Sequence, residues 1–413
     1  MASGIYVHVP FCASFCIYCD FYSVKGGSFE GYRDALLEEI VRQRGYFKNG
    51  VLPETLYFGG GTPSLLDTSY IEQIASAIKL QFGVSDFKEF TIEVNPDDVF
   101  HPDDIARSRR KLDEYRRMGI NRISMGVQSF QDEHLRWMNR RHTAVQAVEA
   151  FRLLRECGFD NISIDLIFGF AKLTREQWAD NISKALELSP EHISCYQMML
   201  EKGSALYALA KKGKYAEPAQ EECAWQYAYL QRKLTEAGYE QYEISNFCKE
   251  GYQSRHNSNY WERTPYLGLG PAAHSFDGET VRKWNVASVK SYISALREGK
   301  YDVICTSERL TDADIFNEQV MLGLRKTAGF SLNTLDSKML AKVMPALESM
   351  LSSGELILER REEAKNHVCA ESRTRAERYG HAAGLEVTDS DIIRIPPDKL
   401  FVSDGIIERL FIT

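Results

Sequence analysis

The chain has 413 residues, 44% hydrophobic and 26% charged, enough apolar surface to build the cores of two or three domains without covalent staples. Its net charge of −8 argues against a nucleic-acid binder, which needs a basic face for phosphates; the densest basic run, Arg107 to Lys111 continuing to Arg116 and Arg117, is interrupted by Asp113 and Glu114 and reads as a solvated helix face. Nine cysteines, an odd number and mostly scattered, do not form a secreted disulfide framework, and the lack of a leader-like start or a bilayer-length apolar run completes the expectation of a reducing cytoplasm.

Short apolar, β-rich runs recur at 5–9, 55–58, 90–94, 122–127, 161–168 and 192–196, each followed by a helical pattern. In 69–82, Ile71, Ile74, Ala75, Ile78 and Phe82 keep helical spacing behind a Ser69-x-x-Glu72 capping box. In 143–157, Val145, Val148, Phe151 and Leu154 do the same behind Thr143-x-x-Gln146, with Gly158 as the stop, and Thr174-x-x-Gln177 opens a further helix. Strand and helix alternating about six times imply a parallel sheet with helical crossovers, either doubly wound or curled into a barrel. In both, ligands belong at the carboxyl ends of the strands.

Beyond this alternation come a helical, Tyr-rich stretch over 205–237 and an irregular polar segment over 246–265. A helix-rich block starts near 300, a polar, charged stretch over 359–378 reads as a flexible insertion, and 392–395 and 400–411 are expected to form a strand and a closing helix.

The chemistry concentrates at strand ends. Cys12, Cys16 and Cys19 follow the first strand, close enough for one loop to wrap one centre, and soft sulfur selects zinc or iron–sulfur. Three readings compete: a zinc site recruiting His8, which lies in the strand and off finger spacing; a Cys16-x-x-Cys19 redox pair, which leaves Cys12 idle; and a four-iron cluster on three cysteines with one iron open. After the second strand, Phe58-Gly-Gly-Gly-Thr-Pro63 is neither a dinucleotide fingerprint nor a P-loop, yet its glycines allow close backbone approach to a ligand, or simply a tight turn. Glu93 and Asp165 are carboxylates inside strands expected to be covered on both faces. They suggest a polar ligand pocket, with a structural ion pair to arginine as the alternative.

Cys-x3-Cys-x2-Cys together with these strand ends resembles the radical S-adenosylmethionine (SAM) family, and the GGGTP wording resembles its coproporphyrinogen oxidase-like branch. The resemblance implies an α/β fold, a partial (β/α)6 barrel with a smaller, mainly helical C-terminal domain. It divides the chain into a radical SAM core over 1–240, a connecting segment over 241–300 and an accessory domain over 301–413. It further implies that Cys12, Cys16 and Cys19 hold a [4Fe-4S] cluster whose open iron chelates SAM. Gly60, Gly61 and Thr62 would meet the ligand's amino group, Glu93 would hydrogen-bond it, and Gln128 would face its ribose. Asp165 would hold the ribose hydroxyls, Arg140 would pair with the carboxylate, Tyr6 would lie beside the sulfonium and Tyr18 would complete the site. Arg141 carries the same charge as Arg140, so alignment alone separates them. Phe170-Ala171-Lys172 departs from the family's Leu-Pro-x, which affects the loop and not the strand.

Two features choose a branch. Oxygen-independent coproporphyrinogen III oxidases carry a further cysteine where this chain has Phe21, and an extension ahead of the motif where it has eleven residues before Cys12. His256-Asn-Ser-Asn-Tyr-Trp261 resembles the haem-binding motif of the HemW-type haem chaperones, and a histidine flanked by aromatics can ligate haem iron while the rings pack the macrocycle. A histidine hydrogen-bonded to its loop is the plainer alternative. The resemblance thus implies a haem carrier with His256 as the haem contact, acceptor haem proteins of the respiratory chain as partners, and room for a homodimer through the cluster region and for transient membrane association. The decarboxylating oxidase is the enzymatic alternative.

Overall fold

The computed structural model describes residues 3–48, 50–359, 378–382, 385–388 and 391–412; most of the charged stretch over 359–378, and the side chains of 360–390, lie outside the described residues. The chain forms two compact units, one of Met1–Glu240, Ser245–Asn259 and Thr264–Glu308, the other of Gln241–Ile244, Tyr260–Arg263 and Arg309–Thr413.

Six parallel strands make the centre of the first unit: β1 Gly4–Val9, β2 Thr55–Gly60, β3 Glu89–Val94, β4 Arg122–Gln128, β5 Ile162–Phe168 and β6 His192–Gln197. Each pairs with the next in chain order. The helices between and after them are α1 Phe29–Arg42, α2 Thr68–Phe82, α3 Ile105–Met118, α4 Ala144–Glu156, α5 Arg175–Leu188 and α6 Gln220–Glu236. Sequential pairing decides between the two architectures that the alternation permits, because a doubly wound sheet reverses its strand order at a switch point and a barrel does not. The ring stays open. The far edge of β1 is taken by a parallel strand, Tyr266–Leu269, and that of β6 by an antiparallel one, Asn246–Cys248. The fold is a partial barrel.

Local chemistry explains the helix ends. Thr143 and Thr174 form capping boxes with Gln146 and Gln177 as expected. Ser69 does not cap α2: Asp67 does, two positions earlier, its carboxylate accepting from the Ser69 backbone N–H. The Tyr-rich stretch over 205–237 is two helices, Ala205–Lys211 and α6, parted at Gly213, whose φ is +66°. The segment over 246–265 is more regular than its polarity suggests, holding the strand Asn246–Cys248 and a helix, α7 Arg255–Trp261.

Residues alternate across the barrel wall. Ile5, Val7, Phe58, Ile92, Met125, Ile164 and Ile193 point outward and are wholly buried against the helices, where α2 contributes Ile71, Ile74 and Ile78. Each such side chain contributes roughly 1.5–3 kcal/mol. Their neighbours point inward, and almost all are polar or glycine: Tyr6 and His8, Tyr57 and Gly59, Thr91 and Glu93, Ser124 and Gly126, Ser163 and Asp165, His192 and Ser194. A barrel of this size ordinarily fills itself with branched apolar side chains. This one has a polar lumen.

One buried carboxylate fastens the open edge. Glu39 on α1 is 0% exposed and accepts from Gly270 N at 2.8 Å, Asn285 Nδ2 at 2.7 Å, Tyr292 Oη at 2.6 Å and Tyr301 Oη at 3.1 Å. In the second unit, helices Asp312–Arg325 and Ser337–Ser352 dominate, with a small sheet of Phe330–Ser331, Ile392–Arg394 and Ile357–Glu359 and a closing helix Ser403–Glu408. Among the described residues no helix is long and apolar enough to cross a membrane.

Candidate functional site

The carboxyl ends of β1 to β5 converge on the loop that carries the three cysteines. Cys12 closes a two-residue strand, Phe11–Cys12, paired with Val24–Lys25, and Cys16 and Cys19 follow on the loop between. All three thiols are free. The loop is seated from two sides: Asn139 Nδ2 donates to Ser14 Oγ at 2.9 Å and to the Phe15 carbonyl at 2.7 Å, and Ile17 offers its carbonyl to Leu206 N at 2.7 Å. Asn139 does this from a φ of +61°, a conformation that asparagine tolerates better than most residues. Burial pushes the Cys19 thiol up to about 11, the Phe21 backbone pulls it back, and Cys16, Cys12 and Glu93 add to the rise. The three sulfurs and that carboxylate therefore share one field. No three His, Cys, Asp or Glu side chains among the described residues are gathered as a single metal ion requires.

The glycine turn after β2 lies against the root of the loop. Gly61 N donates to Val9 O at 2.8 Å, and a Cβ on Gly61 would stand 2.7 Å from Phe11 O and 2.9 Å from Val9 O. Gly60 has a φ of +106° and gives its N–H to Glu93 Oε2 at 3.1 Å. Thr62 Oγ1 lies 3.5 Å from Cys12 Sγ and accepts from Asn95 Nδ2 at the same distance.

Arg140 and Arg141, indistinguishable in sequence, have separate duties. Arg141 is committed to ion pairs with Asp97 at 3.0 Å and Asp98 at 2.7 Å. Arg140 faces the cysteine loop, donating to Asn95 Oδ1 at 2.6 Å, Gly126 O at 2.7 Å and Cys16 Sγ at 3.4 Å, while its Nε is buried with no acceptor. Gly126 leaves room for it, since a Cβ there would sit 3.1 Å from the guanidinium. Beside it Gln128 ends β4 at a φ of +63°, past a bulge, with a buried Oε1 that has no donor. Tyr18 lies close enough to Arg140 and Cys16 to interact with both, and burial raises its phenol well above the ordinary value.

Glu93 and Asp165 do not sit on neighbouring strands, since β4 lies between β3 and β5. They meet across the lumen instead. Burial pushes Glu93 up to about 7, the Tyr57 hydroxyl at 2.9 Å opposes this, and Asp165 adds to it. Burial likewise pushes Asp165 up to about 6, against hydrogen bonds from Ser194 and Ser124 and the more distant charges of Arg122 and Arg140. Neither carboxylate has an ion pair within 4 Å among the described residues, although Arg122 and Arg140 act on Asp165 from farther away. Two partly exposed carboxyl groups without a cation, a guanidinium with a spare donor and an amide with a spare acceptor form a set suited to a zwitterionic, hydroxylated ligand.

Tyr6 extends into the lumen and places its hydroxyl 3.2 Å from His8 Nδ1, whose other nitrogen is 2.9 Å from Tyr22 O. His256 is not on a surface loop. It is 2% exposed at the opposite end of the barrel, beside Gly4 and Thr55, where β1 and β2 begin. Its aromatic neighbours are Tyr57 and Tyr6, with ring centroids 5.0 and 6.4 Å away.

Sequence reading passed over Tyr57, Asn95 and Asn139, each of which holds a site residue in place. The signal available for Tyr57 was the period of two that its strand shares with the whole wall. For Asn95 and Asn139 there was none, because their roles depend on contacts with residues 33 to 125 positions away.

Residues 6–185 match the family description Radical SAM superfamily. The chain is 38% identical to a Bacillus subtilis protein named heme chaperone HemW, over 79% of this chain and 84% of that one. It is 34% identical to a Synechocystis protein of the same name, over 84% and 85%. The solved structure of coproporphyrinogen III oxidase (HemN) from Escherichia coli, described as a radical SAM enzyme, superposes with a TM-score of 0.76 at 22% identity, covering 99% of this chain and 90% of that one. That likeness speaks for the fold.

Proposed function

The chain belongs to the HemW/HemN family of radical SAM proteins tied to haem metabolism, and from that premise we propose that it is a haem carrier: it binds haem and passes it to an acceptor haem protein. The observation that carries this reading is the similarity, sustained along 79% of the chain, to a protein named for haem chaperoning. A second feature supports it. Phe21, where decarboxylating relatives have a further cysteine, is 71% exposed at the edge of the cysteine loop.

The radical SAM domain carries a capacity for iron–sulfur and SAM binding, and the residues present fit it. Cys12, Cys16 and Cys19 would hold a [4Fe-4S] cluster, with SAM beside them. When bound, these groups supply one-electron reduction of a sulfonium. The chain's own contributions can be derived separately. The planar fork of Arg140 offers parallel donors to a carboxylate. Glu93 accepts from Gly60 and Tyr57 and, once ionised, has lone pairs left for an ammonium group. Asp165 with Ser124 and Ser194 forms an acceptor-rich wall for vicinal hydroxyls, and Gln128 Oε1 supplies a further acceptor. Burial lowers His256 to about 3, so it remains a neutral imidazole, stacked on Tyr57 and 2% exposed.

By this reading the acceptor is a haem protein, of the respiratory chain where the family resemblance extends that far, and homodimer formation and transient membrane contact belong to the same proposal. The test uses anaerobically reconstituted protein. With SAM, a reductant and coproporphyrinogen III it should form no protoporphyrinogen IX, while one haem binds per chain and His256→Ala weakens that binding at least tenfold. Stoichiometric or catalytic protoporphyrinogen formation would overturn the carrier in favour of the oxidase.

A further inference from the structure

Ligating haem iron takes a neutral imidazole with a nitrogen open to solvent, and aromatic or apolar faces against which a flat macrocycle can lie. Among the described residues, His8, His134, His142, His192 and His256 are 5% exposed or less and His101 is half-buried, whereas His274 is exposed. It opens the short strand His274–Phe276, which lies between Tyr266–Leu269 and Val281–Asn285 beyond the open edge of β1. Register puts it opposite Trp284, and the two rings stack with centroids 5.9 Å apart and an interplanar angle of 21°. Neither ring nitrogen of His274 has a hydrogen-bond partner among the described residues. Partial burial, then the charge of Arg282, against that of Glu308, holds the ring below its ordinary value, so it is neutral at pH 7.

The face on which His274 stands continues the wall of the lumen. Gly4 lies opposite Tyr266, Tyr266 opposite Phe276 and Phe276 opposite Arg282. Gly4 shares the inward face with Tyr6, so Phe276 and Arg282 share it too, and by the period of two His274 and Trp284 follow. His274 is near enough to His8 to act on it electrostatically, and the His8 ring stacks on Tyr22 with centroids 6.5 Å apart. Phe21, beside Tyr22 in the chain, is 71% exposed. We propose that His274, and not His256, supplies the nitrogen to haem iron, with the macrocycle against the Trp284 side of this shelf and the charge of Arg282 available to a propionate. This rests on the reading of the chain as a haem carrier. His256 is then a positioning residue: its ring packs on Tyr57 and lies 6.4 Å from Tyr6, whose hydroxyl meets His8, while its Nδ1 stays 2.8 Å from Thr55 Oγ1. Losing it unsettles the wall behind the shelf and weakens haem binding without changing the ligand on the iron.

The experiment uses the full chain, reconstituted anaerobically and titrated with ferric haem, read by absorption and electron paramagnetic resonance. The parent should give the spectrum of a histidine-ligated haem. His274→Ala should lose that spectrum and bind haem at least about tenfold more weakly, the smaller cost of removing even an outer-sphere partner from a metal site. Added imidazole should restore the spectrum by taking the vacated place, which a merely misfolded variant would not allow. His256→Ala should keep the parent's spectrum despite its weaker binding. Trp284→Leu should also keep it and weaken binding about threefold, as the loss of one aromatic contact does. An unchanged spectrum in His274→Ala, whatever its affinity, would overturn the assignment and leave the carrier reading standing, because haem still binds. If the parent itself binds no haem, the carrier reading fails and the assignment fails with it.

Discussion

At the scale of single residues, the site is built on positions where a small change has nowhere to go. A Cβ on Gly61 would collide with two backbone carbonyls of the chain that leads into the cysteine loop, and no side chain can swing aside to relieve it. Gly61→Ala should therefore displace the root of that loop. After anaerobic reconstitution its iron and sulfide content should fall below half that of the parent while its far-ultraviolet circular dichroism stays the same. The arginine pair makes a sharper comparison. Arg140→Lys keeps the charge and loses the fork, so SAM affinity should drop at least tenfold with little change in denaturation midpoint. Arg141→Lys, at an ion pair with Asp97 and Asp98, should lower the midpoint and leave SAM affinity within about threefold. Sequence could not separate the two, because adjacent residues of one charge differ only in where the backbone turns them, and that turn is set by Asn139 and its contacts with residues 14 and 15.

At the scale of elements, whatever had a local cause was legible. The six central strands follow from β-rich runs, and two helix starts from Thr-x-x-Gln boxes whose reciprocal hydrogen bonds form as written. Helix α7 was not legible, because its anchor is Glu89, more than 160 residues earlier, and no neighbouring side chain announces it. That anchor makes a prediction. Glu89→Ala leaves the buried His256 N–H and the part-buried Arg255 N–H without their acceptor, at about 1–3 kcal/mol for the first and less for the second, which water can reach. The expected loss is about 1–4 kcal/mol of unfolding free energy by urea denaturation, with Glu89→Gln losing less because one acceptor remains. A loss below about 1 kcal/mol would mean that water replaces the carboxylate and that α7 needs no anchor.

At the scale of the whole molecule, the sequence reading found two of the lumen's carboxylates and missed that nearly every inward residue is polar. The reason is physical: in an alternating strand the outward Ile, Val and Phe dominate any apolar count, and the intervening Ser, Thr and Gly look like ordinary strand polarity until register lines them up. A lumen of this kind should be visible in the pH dependence of stability. Glu93 keeps its proton to about pH 7 in the folded chain against an ordinary value of 4.5, so between those limits the folded state binds more protons than the unfolded one and stability falls as pH rises. Asp165 acts in the same direction up to about pH 6. His142 and His256, both lowered to about 3 by burial, act oppositely: their neutral forms favour the folded state, and that contribution is lost as pH falls below 6.5. The net curve mixes these signs, but the difference between Glu93→Gln and the parent isolates one of them. The variant should gain on the parent steadily from pH 4.5 to about 7 and then level off, by up to about 3 kcal/mol in unfolding free energy. A difference that is flat across this range would show that water in the lumen solvates Glu93 as fully as bulk solvent. The same titration should appear in ligand binding, since a ligand that places an ammonium on Glu93 needs it ionised: SAM affinity should climb as pH rises through 7 in the parent and stay level in Glu93→Gln.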